Sequence, residues 1–191
     1  HAVRTAETLL AGEEGLAVVA CGDSPLLAGE TLAGMIAFHR ERGAAATVLT
    51  AMLDDPAAMG RIVRGADGSI ERIVEAKDAS EAERNIKEIN AGTYVFDIRL
   101  LFEALARVKN DNRQGEYYLT DVVSILRDAG RPVLGYRAAD PAEAFGVNDR
   151  AELAEAERLM RRRISRRHML NGVTIVDPDA TYIDADVAIG R

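Results

Sequence analysis

The chain has 191 residues, of which 48% are hydrophobic and 29% charged, and its formal net charge is −7. This composition is typical of a globular protein with one sizeable core, and the acidic balance excludes a general affinity for nucleic acid or an anionic membrane. The single cysteine, Cys21, excludes an internal disulfide, and no apolar run approaches the roughly 20 residues that span a bilayer. We therefore expect a cytoplasmic location. Because the chain opens on His1 rather than Met, we also expect it to be part of a longer protein.

The first third of the chain alternates helical and strand-like segments. Thr5–Leu10 has the pattern of a helix end, and Leu16–Ala20 is apolar on both faces, which predicts a buried, central, parallel strand. An amphipathic helix then ends near Gly43, and Ala46–Met52 is the next strand. The order helix, strand, helix, strand predicts an α/β layer with a mostly parallel sheet.

The middle of the chain begins with a different pattern. Arg61–Val74 contains the turn dipeptide Asp67-Gly68, which predicts an antiparallel hairpin beside the central strand. The charged stretch Asp78–Lys87 predicts a loop or a single surface helical turn. The later elements, in order, are a strand at Thr93–Phe96, helical faces at Ile98–Val108 and Leu119–Leu126, and a strand at Pro132–Tyr136.

Two further segments complete the chain. Asp149–His168 has the length of a long helix, but its apolar stripe is thin, which predicts a protruding connector helix. Val173–Arg191 has no helical period, and Ile183 and Ile189 are six residues apart. A six-residue aliphatic period is typical of a parallel β-helix.

Asp23 and Asn148 are the candidate metal ligands. Asp23 follows the predicted buried strand, and ligands of α/β sheets bind at that edge, where a carboxylate can hold Mg²⁺. The alternative is that Asp23 only caps the next turn. Asn148 precedes the connector helix, and its amide oxygen could complete a metal shell. The alternative is that Asn148 or Asp149 is the helix N-cap.

Glu75, Asn90 and Gly60 are candidate ligand contacts. Glu75 and Asn90 stand beside strand-like segments, where a rigid scaffold could direct them at sugar hydroxyls or an acetamido group. Either could instead be a solvated surface residue. Gly60 would let a ligand approach the backbone, although it could also be a simple turn glycine. Cys21 has no base nearby in sequence, which predicts a small buried hydrophobic residue.

A series of short motifs points to one family. In order they are His1–Val3, Gly22–Leu26, Gly60–Ile62, Ile73–Ala79, Ile89–Gly92, Gln114–Asp121, Gly146–Arg150, Gly172–Ile175, Asp177–Pro178 and Thr181–Asp184. In this order and spacing the chain resembles the bifunctional bacterial enzymes that are both N-acetylglucosamine-1-phosphate uridyltransferase and glucosamine-1-phosphate acetyltransferase.

The resemblance implies a fold and a domain plan. Residues 1–148 would be the C-terminal part of a Rossmann-like nucleotidyltransferase sheet, truncated at its N-terminus. Residues 149–172 would be the connector helix, and residues 173–191 the start of a left-handed, hexapeptide-repeat β-helix acyltransferase domain. The family's glycine-rich nucleotide loop and most of the β-helix would lie outside the chain.

The resemblance also implies an activity. UTP and N-acetylglucosamine-1-phosphate would give UDP-N-acetylglucosamine and pyrophosphate, for peptidoglycan and other cell-envelope precursors. The longer protein would also acetylate glucosamine-1-phosphate from acetyl-CoA and form a homotrimer through the β-helix, whereas this chain alone would be inactive. No contact with nucleic acid or membrane is implied.

The residues that would carry this activity follow by motif position. Mg²⁺ would lie between Asp23 and Asn148, and no nucleophilic side chain is required. The substrate contacts would be Cys21, Gly22, Asp23, Gly60, Glu75, Asn90 and Asn148. Ala91 stands where the family usually has threonine, which puts one hydroxyl contact near the sugar in question.

Two other functions are compatible with the sequence. One is another sugar-1-phosphate nucleotidyltransferase, such as a thymidylyl or adenylyl enzyme. The other is a non-catalytic binding or assembly subunit of the same fold.

Overall fold

The chain folds into two units, which are described separately. The first comprises Leu27–Ala144 and the residues up to Cys21, and the second comprises Gly22–Leu26 and the residues from Phe145 onward. The computed structural model describes residues 2–10 and 12–190. His1 of the first motif therefore lies outside the described residues.

The first unit is built on a sheet that has six strands in the part of the chain that is described. In chain order they are β1 (Leu16–Val19), β2 (Ala46–Met52), β3 (Arg61–Arg64), β4 (Ile70–Val74), β5 (Glu88–Asp97) and β6 (Val133–Arg137). The spatial order is β4-β3-β5-β2-β6, and β1 also pairs with β5. β2 and β6 are parallel, whereas the other pairs of described strands are antiparallel.

The prediction of a mostly parallel sheet with Leu16–Ala20 at its centre is wrong. β1 runs antiparallel to β5, its one partner among the described strands, and Val18 is 42% exposed. The cause is the length of β5. Its first half pairs with β3 and its second half with β1 on the same side, while β2 runs along the other side. A short apolar run such as Leu16–Ala20 does not determine the direction of a strand or which strands pair with it.

Helices cover both faces of this sheet. The α-helices described in the unit are α1 (Ala2–Thr5), α2 (Glu7–Leu10), α3 (Gly29–Glu41), α4 (Glu81–Arg84), α5 (Ile98–Leu105) and α6 (Asp121–Asp128), and a short 3₁₀ helix spans Pro141–Ala144. On one face, α5 and α6 bury Leu101 and Val122 against Phe96 of β5, which defines the first core. On the other face, α3 buries Met35 against Val95, which defines the second core. Val95 and Phe96 belong to different cores because successive strand residues point to opposite faces.

The elements predicted for the middle of the chain are confirmed, but the placement of the hairpin beside the Leu16–Ala20 strand is wrong, because its strand β3 pairs with β5. β3 and β4 form the antiparallel hairpin, in which Gly68 takes a positive φ of 78° that suits glycine. The charged stretch after β4 contains one short helix, α4, which begins with a capping box formed by Ser80 and Glu83. The two helical faces correspond to α5 and α6, and the strand at Thr93–Phe96 is part of the longer β5.

The second unit is organised around a long helix, α7 (Arg150–Leu170), which confirms the helix predicted at Asp149–His168. Its role as a connector between domains stays a prediction. Its N-cap is Asp149, whose side chain accepts hydrogen bonds from the Ala151 and Glu152 N–H groups. Residues 171–190 contain no assigned strand. Arg162 ties this segment to the helix through Asp179, with an Nε to Oδ1 distance of 2.8 Å. The start of a β-helix after residue 172 stays a prediction.

None of the helices within residues 2–10 and 12–190 combines the length and the apolar character that a membrane-spanning helix needs.

Candidate functional site

Three of the predicted ligand contacts lie together in the first unit. Gly60 directly precedes β3 and Glu75 directly follows β4, so the antiparallel pairing of Arg61 with Val74 brings them opposite each other. A Cβ atom placed on Gly60 would be 3.4 Å from Glu75 Oε2. From the neighbouring strand β5, the Asn90 N–H donates to the Gly60 carbonyl oxygen at 2.9 Å. Gly60, Glu75 and Asn90 therefore form one continuous wall, which we call the sugar wall after the ligand that the sequence leads us to expect there.

The Glu75 carboxyl group is half-buried, and its charge is poorly solvated. Burial raises its pKa above the ordinary value, and the negative charges of Asp78 and Asp121 act in the same direction. The Thr120 hydroxyl opposes them by donating to Glu75 Oε1 at 3.2 Å. A carboxylate in this setting is suited to accepting hydrogen bonds from neutral hydroxyl or amide groups.

Asn90 is held at a bulge in β5. Val48 of β2 pairs with Tyr94 and Thr50 pairs with Asn90, so two steps along β2 span four along β5. Gly92 in this bulge has a φ of +72°, and its N–H donates to Asn90 Oδ1 at 3.1 Å. Asn90 Nδ2 donates to the Tyr94 hydroxyl at 2.7 Å. Bulges of this kind redirect side chains next to functional sites.

Ala91 lies on the opposite side of β5 from the sugar wall. It is 5% exposed and belongs to the second core with Met35 and Val95. The residue at this position therefore affects core packing, and its side chain does not join Glu75 and Asn90.

Arg61 organises the loop that leads into Gly60. Its guanidinium group is buried and donates to the backbone carbonyl oxygens of Pro56, Ala57, Met59 and Arg84. Ala57 has a φ of +44°, a conformation that a residue with a Cβ atom adopts at a cost. These bonds hold the loop in place although its backbone conformation is unfavourable.

Cys21 is exposed, so the prediction of a buried hydrophobic residue is wrong. It follows the edge strand β1, and its Sγ atom is 3.5 Å from the Gly92 carbonyl oxygen. A Cβ atom on Gly92 would be 3.0 Å from this sulfur. Glycine at position 92 thus satisfies both the positive φ and the close approach of Cys21.

The candidate metal ligands Asp23 and Asn148 both lie in the second unit. The Val147 N–H donates to the Asp23 carbonyl oxygen at 2.9 Å, so the segment that contains Gly22 and Asp23 lies beside the residues preceding α7. Both side chains are exposed. The helix N-cap is Asp149, so the side-chain carboxamide of Asn148 does not cap the helix.

The donor set of this pair fits a hard cation. A carboxylate oxygen and an amide oxygen are ligands that Mg²⁺ accepts, and exposure leaves room for water and phosphate oxygens to fill its other positions. Within residues 2–10 and 12–190, no three His, Cys, Asp or Glu side chains converge in a way that could hold a metal ion, so protein ligands would supply only part of the shell.

Comparison with known proteins places the chain in a family. The family model described as Nucleotidyl transferase matches residues 1–141, which is most of the chain. The chain belongs to the nucleotidyl transferase family. The predicted nucleotidyltransferase sheet is thereby confirmed.

The most informative relatives are curated bacterial proteins named Bifunctional protein GlmU. The protein from Geobacillus thermodenitrificans is 56% identical over 191 residues, which is 100% of this chain and 42% of the relative. The protein from Brevibacillus brevis is 58% identical over 189 residues, covering 99% of this chain and 41% of the relative. These matches confirm the resemblance found in the motifs. The present chain spans less than half the length of these relatives.

Solved structures show a related fold at much lower identity. A Bacillus anthracis chain described as a glucose-1-phosphate thymidylyltransferase has a TM-score of 0.59 and 18% identity, over 93% of this chain and 63% of that chain. A UDP-glucose pyrophosphorylase from Acinetobacter baumanii has a TM-score of 0.51 and 19% identity, over 82% and 53% of the two chains. These likenesses show the fold alone.

Sequence reasoning missed two residues that support the sugar wall, Tyr94 and Thr120. A signal existed for Tyr94, because residues 90, 92 and 94 of one strand share a face. Thr120 lies within the Gln114–Asp121 motif, but its contact with Glu75 joins residues 45 positions apart. No local pattern predicts such a contact.

Proposed function

We propose that this chain forms the sugar-binding part of an enzyme that makes UDP-N-acetylglucosamine and pyrophosphate from UTP and N-acetylglucosamine-1-phosphate. The observation that carries the proposal is the identity of 56% along the whole chain with a protein named Bifunctional protein GlmU. The product would serve peptidoglycan and other cell-envelope precursors. The cytoplasm, where UTP is available, is the proposed location.

The sugar wall supports the proposed substrate. Glu75 is placed to accept hydrogen bonds from sugar hydroxyls, and Asn90 can offer both a donor and an acceptor to an acetamido group. Gly60 has no side chain, so a sugar ring can approach its backbone. We propose that Cys21 and Gly22 lie alongside the nucleotide.

The reaction needs alignment more than side-chain chemistry. A phosphate oxygen of N-acetylglucosamine-1-phosphate attacks the α-phosphorus of UTP in line, a new P–O bond forms, and the bond to pyrophosphate breaks. Both reactants are anions, so holding them together and offsetting their charge are the main contributions of the protein. No nucleophilic residue takes part.

We propose that Asp23 and Asn148 hold the divalent metal that nucleotidyl transferases of this kind generally use. Bound Mg²⁺ would neutralise charge on the phosphate groups. The aspartate supplies a negative oxygen ligand and the asparagine a neutral one, and their exposure leaves space for the substrate phosphates to complete the shell.

For the longer protein we propose the domain plan given above, with boundaries after residues 148 and 172. Acetyl transfer from acetyl-CoA to glucosamine-1-phosphate and assembly into a homotrimer would belong to the β-helix. Those activities lie in the part of the relatives that this chain does not span.

The proposal is tested by assaying the full-length protein with Mg²⁺, UTP and N-acetylglucosamine-1-phosphate. We expect UDP-N-acetylglucosamine and an equal amount of pyrophosphate, separated by ion-exchange chromatography. A parallel assay uses dTTP or ATP with glucose-1-phosphate. Faster turnover of that pair would favour another sugar nucleotidyltransferase, and binding of UDP-N-acetylglucosamine without turnover would favour a non-catalytic subunit.

The isolated 191-residue chain provides a second test. Relatives named above are more than twice as long, and we expect the nucleotide to be anchored by residues outside this chain. Loss of substrate alignment removes a contribution of about 7–11 kcal/mol, so the isolated chain should make no measurable product. Robust synthesis by residues 1–191 would contradict this assignment of the nucleotide site.

A further inference from the structure

The carboxamide of Asn90 has one allowed orientation in the sugar wall. A backbone N–H group can only donate a hydrogen bond, so the Gly92 N–H requires the carboxamide oxygen on its side, at 3.1 Å. The amide nitrogen must then lie on the other side, where it is 2.7 Å from the Tyr94 hydroxyl. It follows that the tyrosine oxygen accepts this hydrogen bond. The opposite orientation would set two donors against each other at Gly92.

Tyr94 itself is fixed by the core. The residue is 4% exposed, and its ring stacks on Phe96 with centroids 5.5 Å apart and an angle of 18° between the planes. Both rings belong to the first core, together with Leu101 and Val122. Burial raises the pKa of Tyr94 above its ordinary value, so the hydroxyl stays neutral. The position of its oxygen is therefore set by core packing and does not depend on solvent.

These contacts limit what Asn90 can offer a ligand. After the bonds to Gly92 and Tyr94, the carboxamide retains one N–H hydrogen and one lone pair on the oxygen. Their directions are determined by the two bonds already made. A side chain held in this way binds a ligand without first losing rotational freedom.

We propose that Tyr94 is a positioning residue of the sugar wall, whose hydroxyl holds the Asn90 carboxamide in the orientation that binds the sugar phosphate. The proposal rests on the function proposed above. Tyr94 acts through Asn90 and does not itself contact the substrate. Its removal should affect the sugar substrate and leave the nucleotide unaffected.

The test is Tyr94→Phe in the full-length protein, because this change removes one oxygen and keeps the ring that packs in the core. We expect the KM for N-acetylglucosamine-1-phosphate to rise about five- to tenfold, the effect of one neutral hydrogen bond. The KM for UTP should change less than about twofold. Tyr136→Phe is the matched control, since Tyr136 packs edge-on to Phe38 at the second core, and we expect it to alter neither KM.

A double-mutant cycle separates positioning from a general structural effect. If Tyr94 acts through Asn90, Tyr94→Phe should have no further effect on the sugar KM in an Asn90→Ala background. A purely structural role would give additive losses in the double variant, with both KM values rising together. Either that result or an unchanged sugar KM in Tyr94→Phe would overturn the proposal.

A crystal structure of the full-length Tyr94→Phe variant gives a reading that does not depend on turnover. We expect the Asn90 side chain, which the Gly92 N–H alone then holds, to rotate from its wild-type position or to show higher B-factors. An unchanged, well-ordered carboxamide would contradict the role of Tyr94. If the wild-type protein makes no UDP-N-acetylglucosamine, the proposed function fails. The orientation of Asn90 in this variant still decides whether Tyr94 positions it.

Discussion

The two groups of candidate site residues are built in opposite ways. In the first unit, Glu75 and Asn90 are half-buried, and each is hydrogen-bonded to the hydroxyl group of a buried residue. In the second unit, Asp23 and Asn148 are exposed. The difference fits the partners that we propose, because a sugar is recognised by the direction of hydrogen bonds, whereas a hydrated cation tolerates ligands that it orders on binding. The variants below test this comparison, beginning with the largest expected effect.

Asp23→Asn should abolish most activity without affecting the fold. The change removes the negative charge of a proposed metal ligand at an exposed position, so we expect kcat for uridylyl transfer to fall at least about a hundredfold. The thermal midpoint should stay within a degree or two of the wild-type value. Asp186→Asn, a change at another exposed aspartate of the second unit, should retain full activity. Full activity in Asp23→Asn would exclude the metal role.

Arg61→Met should show the reverse pattern, with a large effect on stability. Four carbonyl groups would lose their buried donor, and the loop with the strained Ala57 would be released. We expect the free energy of unfolding to fall by about 3 kcal/mol or more, measured by urea denaturation. Arg72→Met, on the same hairpin but partly exposed and paired with Glu83, should cost less than half as much. Equal losses of unfolding free energy in the two variants would show that the hydrogen bonds of Arg61 to the loop add no particular stability.

Glu75→Gln should separate function from stability. Burial raises the pKa of Glu75 in the folded state, so ionisation of this carboxyl group opposes folding at neutral pH. The variant should weaken sugar binding, yet it should be more stable than wild type at pH 8 by less than about 1 kcal/mol. The gain should disappear below the unfolded-state pKa, where the wild-type carboxyl is protonated in both states. Thermal melts at pH 4 and pH 8 compare the variant with the wild type on either side of the unfolded-state pKa. A stability gain that persists at pH 4 would show that ionisation of Glu75 is not its cause.

Thr120→Val should give the smallest effect, a shift in pH dependence. The Thr120 hydroxyl lowers the pKa of Glu75, so its removal should raise that pKa further. If the ionised form binds the sugar, the acidic limb of kcat/KM for the sugar phosphate should move to higher pH by less than about one unit. Thr174→Val, at an exposed position of the second unit, serves as the control. A limb that moves to lower pH would contradict the assigned hydrogen bond.

The sequence predicted the features that depend on local patterns. The Asp67-Gly68 turn and the apolar spacing of α5 and α6 identified their elements, because turn chemistry and amphipathic period are properties of short segments. The direction of β1 could not be predicted in this way, since it depends on how far β5 extends beyond β3.

In the candidate site too, local patterns predicted some features and tertiary structure determined the others. Glu75, Asn90 and Gly60 stood out as polar or glycine positions beside strands, and the structure brings them together. The groups that hold them in place were not evident, because contacts such as that of Thr120 with Glu75 join residues distant in sequence. The exposure of Cys21 likewise depends on the tertiary structure. Short motifs therefore identified the side chains that we propose to face the ligand, and tertiary packing determined their supports.

The bulge in β5 has a consequence for how this site can change by insertion and deletion. It contains two more residues than the facing part of β2, and two is the period with which strand side chains return to the same face. Deleting one residue between Asn90 and Tyr94 would move the side chains on one side of the deletion to the opposite face of the sheet. The two cores could then not both keep their packing. Deleting two would straighten the strand and leave Val95 and Phe96 in their own cores. The sheet can therefore lose or acquire this bulge in steps of two residues while its hydrophobic layers stay intact.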